Sequence, residues 1–205
     1  MRMPSNPNPA RAQLKPGADF NQRAIPVTRQ PQRSWFRVHR SGSPPAQFGK
    51  FPHHRFSHPN CPFPLLYVGA TIHTCLWEVF GDDVFQGNRA ISSGKWSGCW
   101  LSQIVVPELK ACAVSLERTR DAMGVDKASL LAADFNIPQA WGLAVQEHPA
   151  AFEAIKYASR FLDQPCLALF DRGGLQSKLQ VKALGALSHL DAAVDWLNER
   201  KAALV

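Results

Sequence analysis

The segment Leu65-Leu66-Tyr67-Val68-Gly69-Ala70-Thr71-Ile72-His73-Thr74-Cys75-Leu76-Trp77-Glu78-Val79-Phe80-Gly81 decides the reading of this chain. Its first four residues are a short apolar run, fit for a buried strand. Gly69-Ala70-Thr71 then opens a helix. Ile72, Cys75, Leu76 and Val79 recur at i, i+3, i+4 and i+7, which makes a buried stripe. Thr71, Thr74 and Glu78 lie together on the flank of that stripe. Gly81 is expected to end the helix. A strand turning directly into a helix that carries one flank carboxylate is the unit around which the rest is arranged.

Upstream, Ser34-Trp35-Phe36-Arg37-Val38-His39-Arg40 alternates and is rich in aromatic and β-branched residues. It reads as a first strand, with Trp35, Arg37 and His39 on one face. Residues 41–45 form a turn cluster, and 46–64 a proline-interrupted connection containing His53-His54-Arg55-Phe56. Downstream, residues 81–98 read as a long polar, Gly-rich loop, a length that is uncommon unless it covers or binds something. Strands are expected at 100–106, 111–116, 155–158, 166–170 and 179–184. Residues 126–147 read as mostly helical, with Asp126 as a cap and Pro138 in a first turn. A last helix is expected to start with a capping box, Ser188 and Asp191, and to bury Leu190, Ala193, Val194, Leu197 and Leu204. Strands and helices mix without a regular βαβ beat, so the fold class is α+β. No GxGxxG and no GxxxxGK[ST] occurs, which excludes Rossmann and P-loop phosphate cradles.

The chain has 205 residues, 45% hydrophobic and 10% aromatic, enough to bury a sizeable core. No apolar run reaches about 18 residues, so no membrane span is expected. The front carries no apolar stretch behind Arg2, and the five cysteines make an odd count without a CxxC pair. Both point to a cytoplasmic protein with reduced, buried thiols. The net charge of +7 is lopsided. Residues 1–60 hold ten Lys or Arg against one acid, Asp19, and the remainder is slightly acidic. Twelve of the sixteen prolines lie at or before Pro64, in the same front section. Residues 1–32 therefore read as a Pro/Arg-rich arm, disordered or draped, and 33–205 as the folded domain. A basic arm can touch nucleic acid, but this one interleaves a single aromatic, Phe20, so direct nucleic-acid binding is not expected. His53, His54, His58 and Cys61 are zinc-type ligands in a spacing that matches no closed site, so no metal is expected. Asp82-Asp83 reads as a solvated loop pair.

Arg37 on a strand, Arg55 in the following loop, Tyr67 on a buried strand, Glu78 eleven residues later and Tyr157-Ala158-Ser159-Arg160 form an ordered set. This set resembles the RES family, bacterial toxins that act on NAD and share the ADP-ribosyltransferase fold. The resemblance covers about residues 33–185. It implies an ADP-ribosyltransferase-like architecture, a mixed or antiparallel split sheet with flanking helices. It also implies NAD as substrate, with no further cofactor, and a helix-turn-helix (Xre-like) antitoxin as partner. By the resemblance Glu78 is the catalytic carboxylate, with Arg37 and Ser159 beside it, while Arg37, Arg55 and Tyr67 bind the dinucleotide. Family members often carry Gly before the second Arg, where this chain has His54.

The chemistry suits these residue types. NAD carries its nicotinamide as a pyridinium cation that leaves as a neutral base, so no general acid is needed. One carboxylate can stabilise the oxocarbenium-like ribose, unlike the paired acids of ordinary glycoside hydrolysis. Guanidinium groups bind phosphate oxygens bidentately. Ser159 has no Ser-His-Asp or GxSxG context to make it a nucleophile. The acceptor stays open between water, phosphate and a protein side chain, the last giving a mono-ADP-ribosyltransferase. A basic, non-enzymatic nucleic-acid- or protein-binding module is the reading from another class.

Overall fold

The computed structural model describes residues 15–86, 88–132 and 134–205. In chain order the front half contains β1 (Val27–Gln30), β2 (Arg33–Arg40), β3 (Leu65–Gly69), α1 (Ile72–Gln86), β4 (Ala90–Ile91), α2 (Ser93–Ser97), β5 (Cys99–Val106) and β6 (Leu109–Ala113). The rear half adds α3 (Glu117–Met123), α4 (Lys127–Leu131), α5 (Asn136–Glu147), β7 (Ala154–Ala158), β8 (Pro165–Phe170), α6 (Leu175–Lys178), β9 (Gln180–Ala186), α7 (Asp191–Glu199) and β10 (Ala203–Leu204).

Eight strands form one mixed sheet in the order β1-β6-β7-β8-β3-β2-β5-β9, with helices packed against it. Within this sheet only the β6–β7 pair is parallel and the other pairs are antiparallel; β10 and β4 form a separate parallel pair. The class is α+β, as the sequence indicates. The sheet is pinched in the middle. β2 and β3 meet only where Phe36 faces Gly69. By contrast, β2 and β5 stay in register from Arg33–Val106 to Arg40–Cys99, and β3 and β8 from Leu65–Phe170 to Gly69–Cys166. The two halves of the sheet splay apart beyond that one pair, and Arg37 is the next residue of β2.

Each half has its own core. Met123, Trp141, Phe152, Ile155 and Phe170 pack under α5 and α4. Leu76, Phe80, Leu101 and Trp196 pack between α1, α7 and β5. A third cluster, around Trp35, Leu66, Ile104 and Leu167, covers the remaining sheet face. Aromatic burial supplies much of the driving force, since each such side chain removes a large apolar area from water.

Four expectations change. Gly81 does not end α1, which runs on to Gln86. A Cβ at Gly81 would lie 2.5 Å from Cζ of Phe161, so this glycine makes room for a ring and caps nothing. The long loop expected at 81–98 is accordingly the end of α1, then β4 and α2. The expected capping box is absent, because Ser188 sits in a 3-10 turn (Leu187–His189) and no side chain caps α7. Trp196 anchors that helix, while Leu204 lies beyond it in β10, paired with Ile91. Lastly, the arm reading fails over its described part. Phe20 and Ile25 are buried, and β1 pairs along β6 from Val27–Cys112 to Gln30–Leu109. Residues 1–14 of the arm lie outside the described residues.

Candidate functional site

The pinch between β2 and β3 opens into a cleft of about 450 Å³, within the range of small-molecule sites. Its walls come from β2, β3, α1, the 51–55 loop, Phe135 and the start of the 159–164 turn. Arg37, Arg55, Tyr67 and Glu78 all line it, although they come from four different segments.

Glu78 reaches the cleft because α1 is set by what precedes it. Oγ1 of Thr71 accepts the backbone N–H of Thr74 at 3.0 Å, which satisfies a free donor of the first helical turn. The stripe Cys75, Leu76 and Phe80 then locks the rotation of the helix against the core. That leaves Glu78 on the cleft side. Oε1 of Glu78 accepts a hydrogen bond from Oγ of Ser159 at 2.6 Å. Ser159 itself is 3% exposed, and its Oγ accepts the backbone N–H of Phe161 at 3.3 Å. The Ser159 hydroxyl thus aims its proton at the Glu78 carboxylate and takes the Phe161 amide on its oxygen.

Arg37 stands at the splay point. Its guanidinium donates to the carbonyls of Pro45 at 2.8 Å and Gln47 at 3.1 Å. Burial pulls its pKa down to about 10, so it remains a cation at neutral pH. Arg55 donates to the carbonyls of Leu130 at 2.9 Å and Ala132 at 3.4 Å, and lies over the ring of Phe135. Burial lowers its pKa as well, against the opposing pull of Tyr157 and Glu78. Among the described residues, no ion pair engages either arginine. Two desolvated cations held by carbonyls and, for Arg55, an aromatic ring are suited to an anionic ligand. Tyr67 accepts the backbone N–H of Phe56 at 3.0 Å through its hydroxyl, and burial pushes its pKa up. Its proton is thus retained, and the residue lines the cleft.

Several side chains of the cleft escaped the sequence reading. Asp82 is not in a loop, although its side chain stays largely exposed. It lies one turn beyond Glu78 on α1, lines the cleft and pairs with Arg160. Arg160 also lies 4.4 Å over the ring of Phe161. The i, i+4 spacing of Glu78 and Asp82, and the adjacency of Ser159 and Arg160, were the available signals. Asp83 turns the other way, to Lys95 at 2.5 Å. His54 lines the cleft beside Tyr67, with ring centroids 5.1 Å apart. His53 lines the cleft as well, whereas the other two members of the group turn elsewhere. Nδ1 of His58 accepts the backbone N–H of Asn60, and the Cys61 thiol is buried against the carbonyl of Phe56. No cluster of three metal-ligating side chains occurs among the described residues.

The fold has a solved counterpart in the crystal structure of the M. tuberculosis MbcT–MbcA toxin–antitoxin complex. The match has a TM-score of 0.63 at 17% identity and covers 91% of this chain and 99% of that one. At that identity the likeness concerns the fold. No curated protein matches the sequence significantly. The RES-domain family model matches residues 26–193, a stretch that contains every cleft side chain named above. By that match over most of its length, the chain belongs to the RES-domain family.

Proposed function

We propose that the protein is an NAD-degrading toxin of a toxin–antitoxin pair, cleaving the bond between nicotinamide and ribose. The observation that carries this reading is Glu78, held by the buried Ser159 hydroxyl, lining the same cleft as two arginines that have no carboxylate partner among the described residues. The bond from C1′ of the ribose to N1 of the pyridinium breaks with both electrons going to nitrogen. Nicotinamide leaves neutral, and the positive charge moves onto the ribose. Glu78 stabilises that charge and holds a ribose hydroxyl. Water or inorganic phosphate then supplies an oxygen to C1′, and a proton is released. Arg37 and Arg55 hold the diphosphate, and the Tyr67 ring packs the nicotinamide. The partner proposed is a helix-turn-helix antitoxin. The named toxin–antitoxin complex of the same fold supports a toxin role, and family membership supports an enzyme.

The test is nicotinamide release from NAD by purified protein, followed by chromatography with and without phosphate. Wild type is expected to turn over, and Glu78→Gln to lose at least about 100-fold in kcat at unchanged thermal stability. Release of ADP-ribose in buffer alone marks water as acceptor; a phosphorylated ADP-ribose marks phosphate. Labelled NAD in a cell extract distinguishes both from transfer to protein. Absence of nicotinamide release under every condition overturns the reading.

A further inference from the structure

We infer that His54 is a specificity-determining residue of the cleft, hydrogen-bonding the carboxamide of the nicotinamide ring. The inference rests on the NAD reading and deepens it.

The position is unusual in being held from behind and open in front. The backbone N–H of His54 donates to the carbonyl of Phe51 at 3.1 Å. Its own carbonyl accepts the N–H of Ser57 at 3.1 Å and Nε2 of Gln139 at 3.0 Å. The same Gln139 amide also donates to the carbonyl of Pro52, so α5 clamps the turn from the far side. The next residue, Arg55, is fixed by the carbonyls of Leu130 and Ala132. The imidazole is thereby presented by a rigid turn.

The ring sits between two aromatic rings. Tyr67 meets it at 5.1 Å and 90°, and Phe51 at 5.3 Å and 48°. All three line the cleft. Within the described residues, neither ring nitrogen of His54 has a hydrogen-bond partner, and the ring stays open to the cleft. Tyr67 and Ser159 have each committed a polar atom to the protein, and both arginines donate to carbonyls. Burial and the neighbouring Arg37 and His53 charges lower the pKa of His54, which keeps it neutral near pH 7. A neutral imidazole offers one N–H and one lone pair. A carboxamide offers the complementary pair, a carbonyl and an NH₂. A neutral ring also avoids placing another cation beside the pyridinium. The aromatic walls suit a flat heteroaromatic ring, and His54 is the group among them that can read its substituent.

His54→Phe keeps a ring against Tyr67 and removes the nitrogens. The expected result is a KM for NAD raised about 3- to 10-fold, the scale of one neutral hydrogen bond, with kcat within about twofold. The inhibition constant of free nicotinamide is expected to rise in parallel. That of 3-methylpyridine, which lacks the carboxamide, should stay the same. His54→Asn is expected to recover part of the loss. An equal shift for both inhibitors means a merely structural role and overturns the inference, as does an unchanged KM. Calorimetric titration of NAD into Glu78→Gln and into the Glu78→Gln, His54→Phe double variant separates this from the functional reading. If wild type releases no nicotinamide, the functional reading falls. Weaker NAD binding in the double variant then still supports His54, while equal affinity, or no binding to either protein, overturns it.

Discussion

Ser159 shows how little freedom the central carboxylate has. Its oxygen accepts from the Phe161 amide and its proton goes to Glu78, so the three groups form one directed chain. Ser159→Ala removes a hydrogen bond to a charged group, a class worth about 1.5–3 kcal/mol. We expect kcat to fall about 10- to 100-fold with little change in KM. Because the serine acts through the glutamate, the double variant Ser159→Ala, Glu78→Gln should be no slower than Glu78→Gln alone. A further tenfold loss in the double variant would show that Ser159 touches the substrate itself. Arg37 is the complementary case. It is a cation desolvated at the splay of β2, with two carbonyls for company. Lysine keeps the charge but loses the planar fork, so Arg37→Lys is expected to raise KM for NAD about tenfold. An unchanged KM in steady-state assays would remove Arg37 from diphosphate binding.

The elements that frame the cleft meet through glycines as much as through side chains. A Cβ on Gly142 of α5 would stand 2.3 Å from the carbonyl oxygen of Phe56, which is backbone and cannot swing aside. Gly142→Ala must push the 51–57 turn away from α5. We expect a loss of at least about 2 kcal/mol in urea unfolding and a higher KM, since Arg55 and His54 ride on that turn. Gly94→Ala is the control, because only Ser92 Oγ at 3.9 Å comes near. A Gly142→Ala protein as stable as the control would show that the turn floats. These close approaches also explain what the sequence could and could not convey. The start of α1 was legible, since Thr71 caps locally and the apolar spacing is regular. Its end was not, because the reason for Gly81 is Phe161, eighty residues away. Glycine as a helix stop and glycine as a seat for a ring look the same in one dimension. α3 was missed for a related reason: Leu116 precedes it with no side-chain cap to mark the start. Of the site, Glu78, Arg37, Arg55 and Tyr67 were legible as an ordered set of residue types. The Asp82–Arg160 pair was hidden by the misplaced end of α1.

Across the whole molecule, the front of the chain belongs to the fold further back than its composition suggests. Proline and arginine dominate it, yet Phe20 packs edge-on against Trp141 and Ile25 is buried beside it. Removal of residues 1–30 deletes both, together with β1, and exposes the edge of β6. Phe20→Ala alone is expected to cost about 3–5 kcal/mol in chemical unfolding; a loss below about 1 kcal/mol would restore the draped-arm picture. A second global property follows from the buried thiols. Burial pushes Cys61 up to about 11 and Cys75 and Cys112 up to about 12. In the unfolded chain these thiols lose their protons near pH 8.5. The folded protein therefore holds more protons than the unfolded one above that pH. The stabilisation is present in full below about pH 8.5 and drains away as pH climbs toward the folded values. Each thiol contributes a slope of up to about 1.4 kcal/mol per pH unit. Arg37 works with the opposite sign, since its folded pKa is depressed, but its effect begins only near pH 10. Urea midpoints measured under reducing conditions are thus expected to fall steadily between pH 8.5 and 10, and Cys112→Ala to flatten the slope. A midpoint constant across that interval would mean that the thiols ionise inside the folded protein, and that its core admits water.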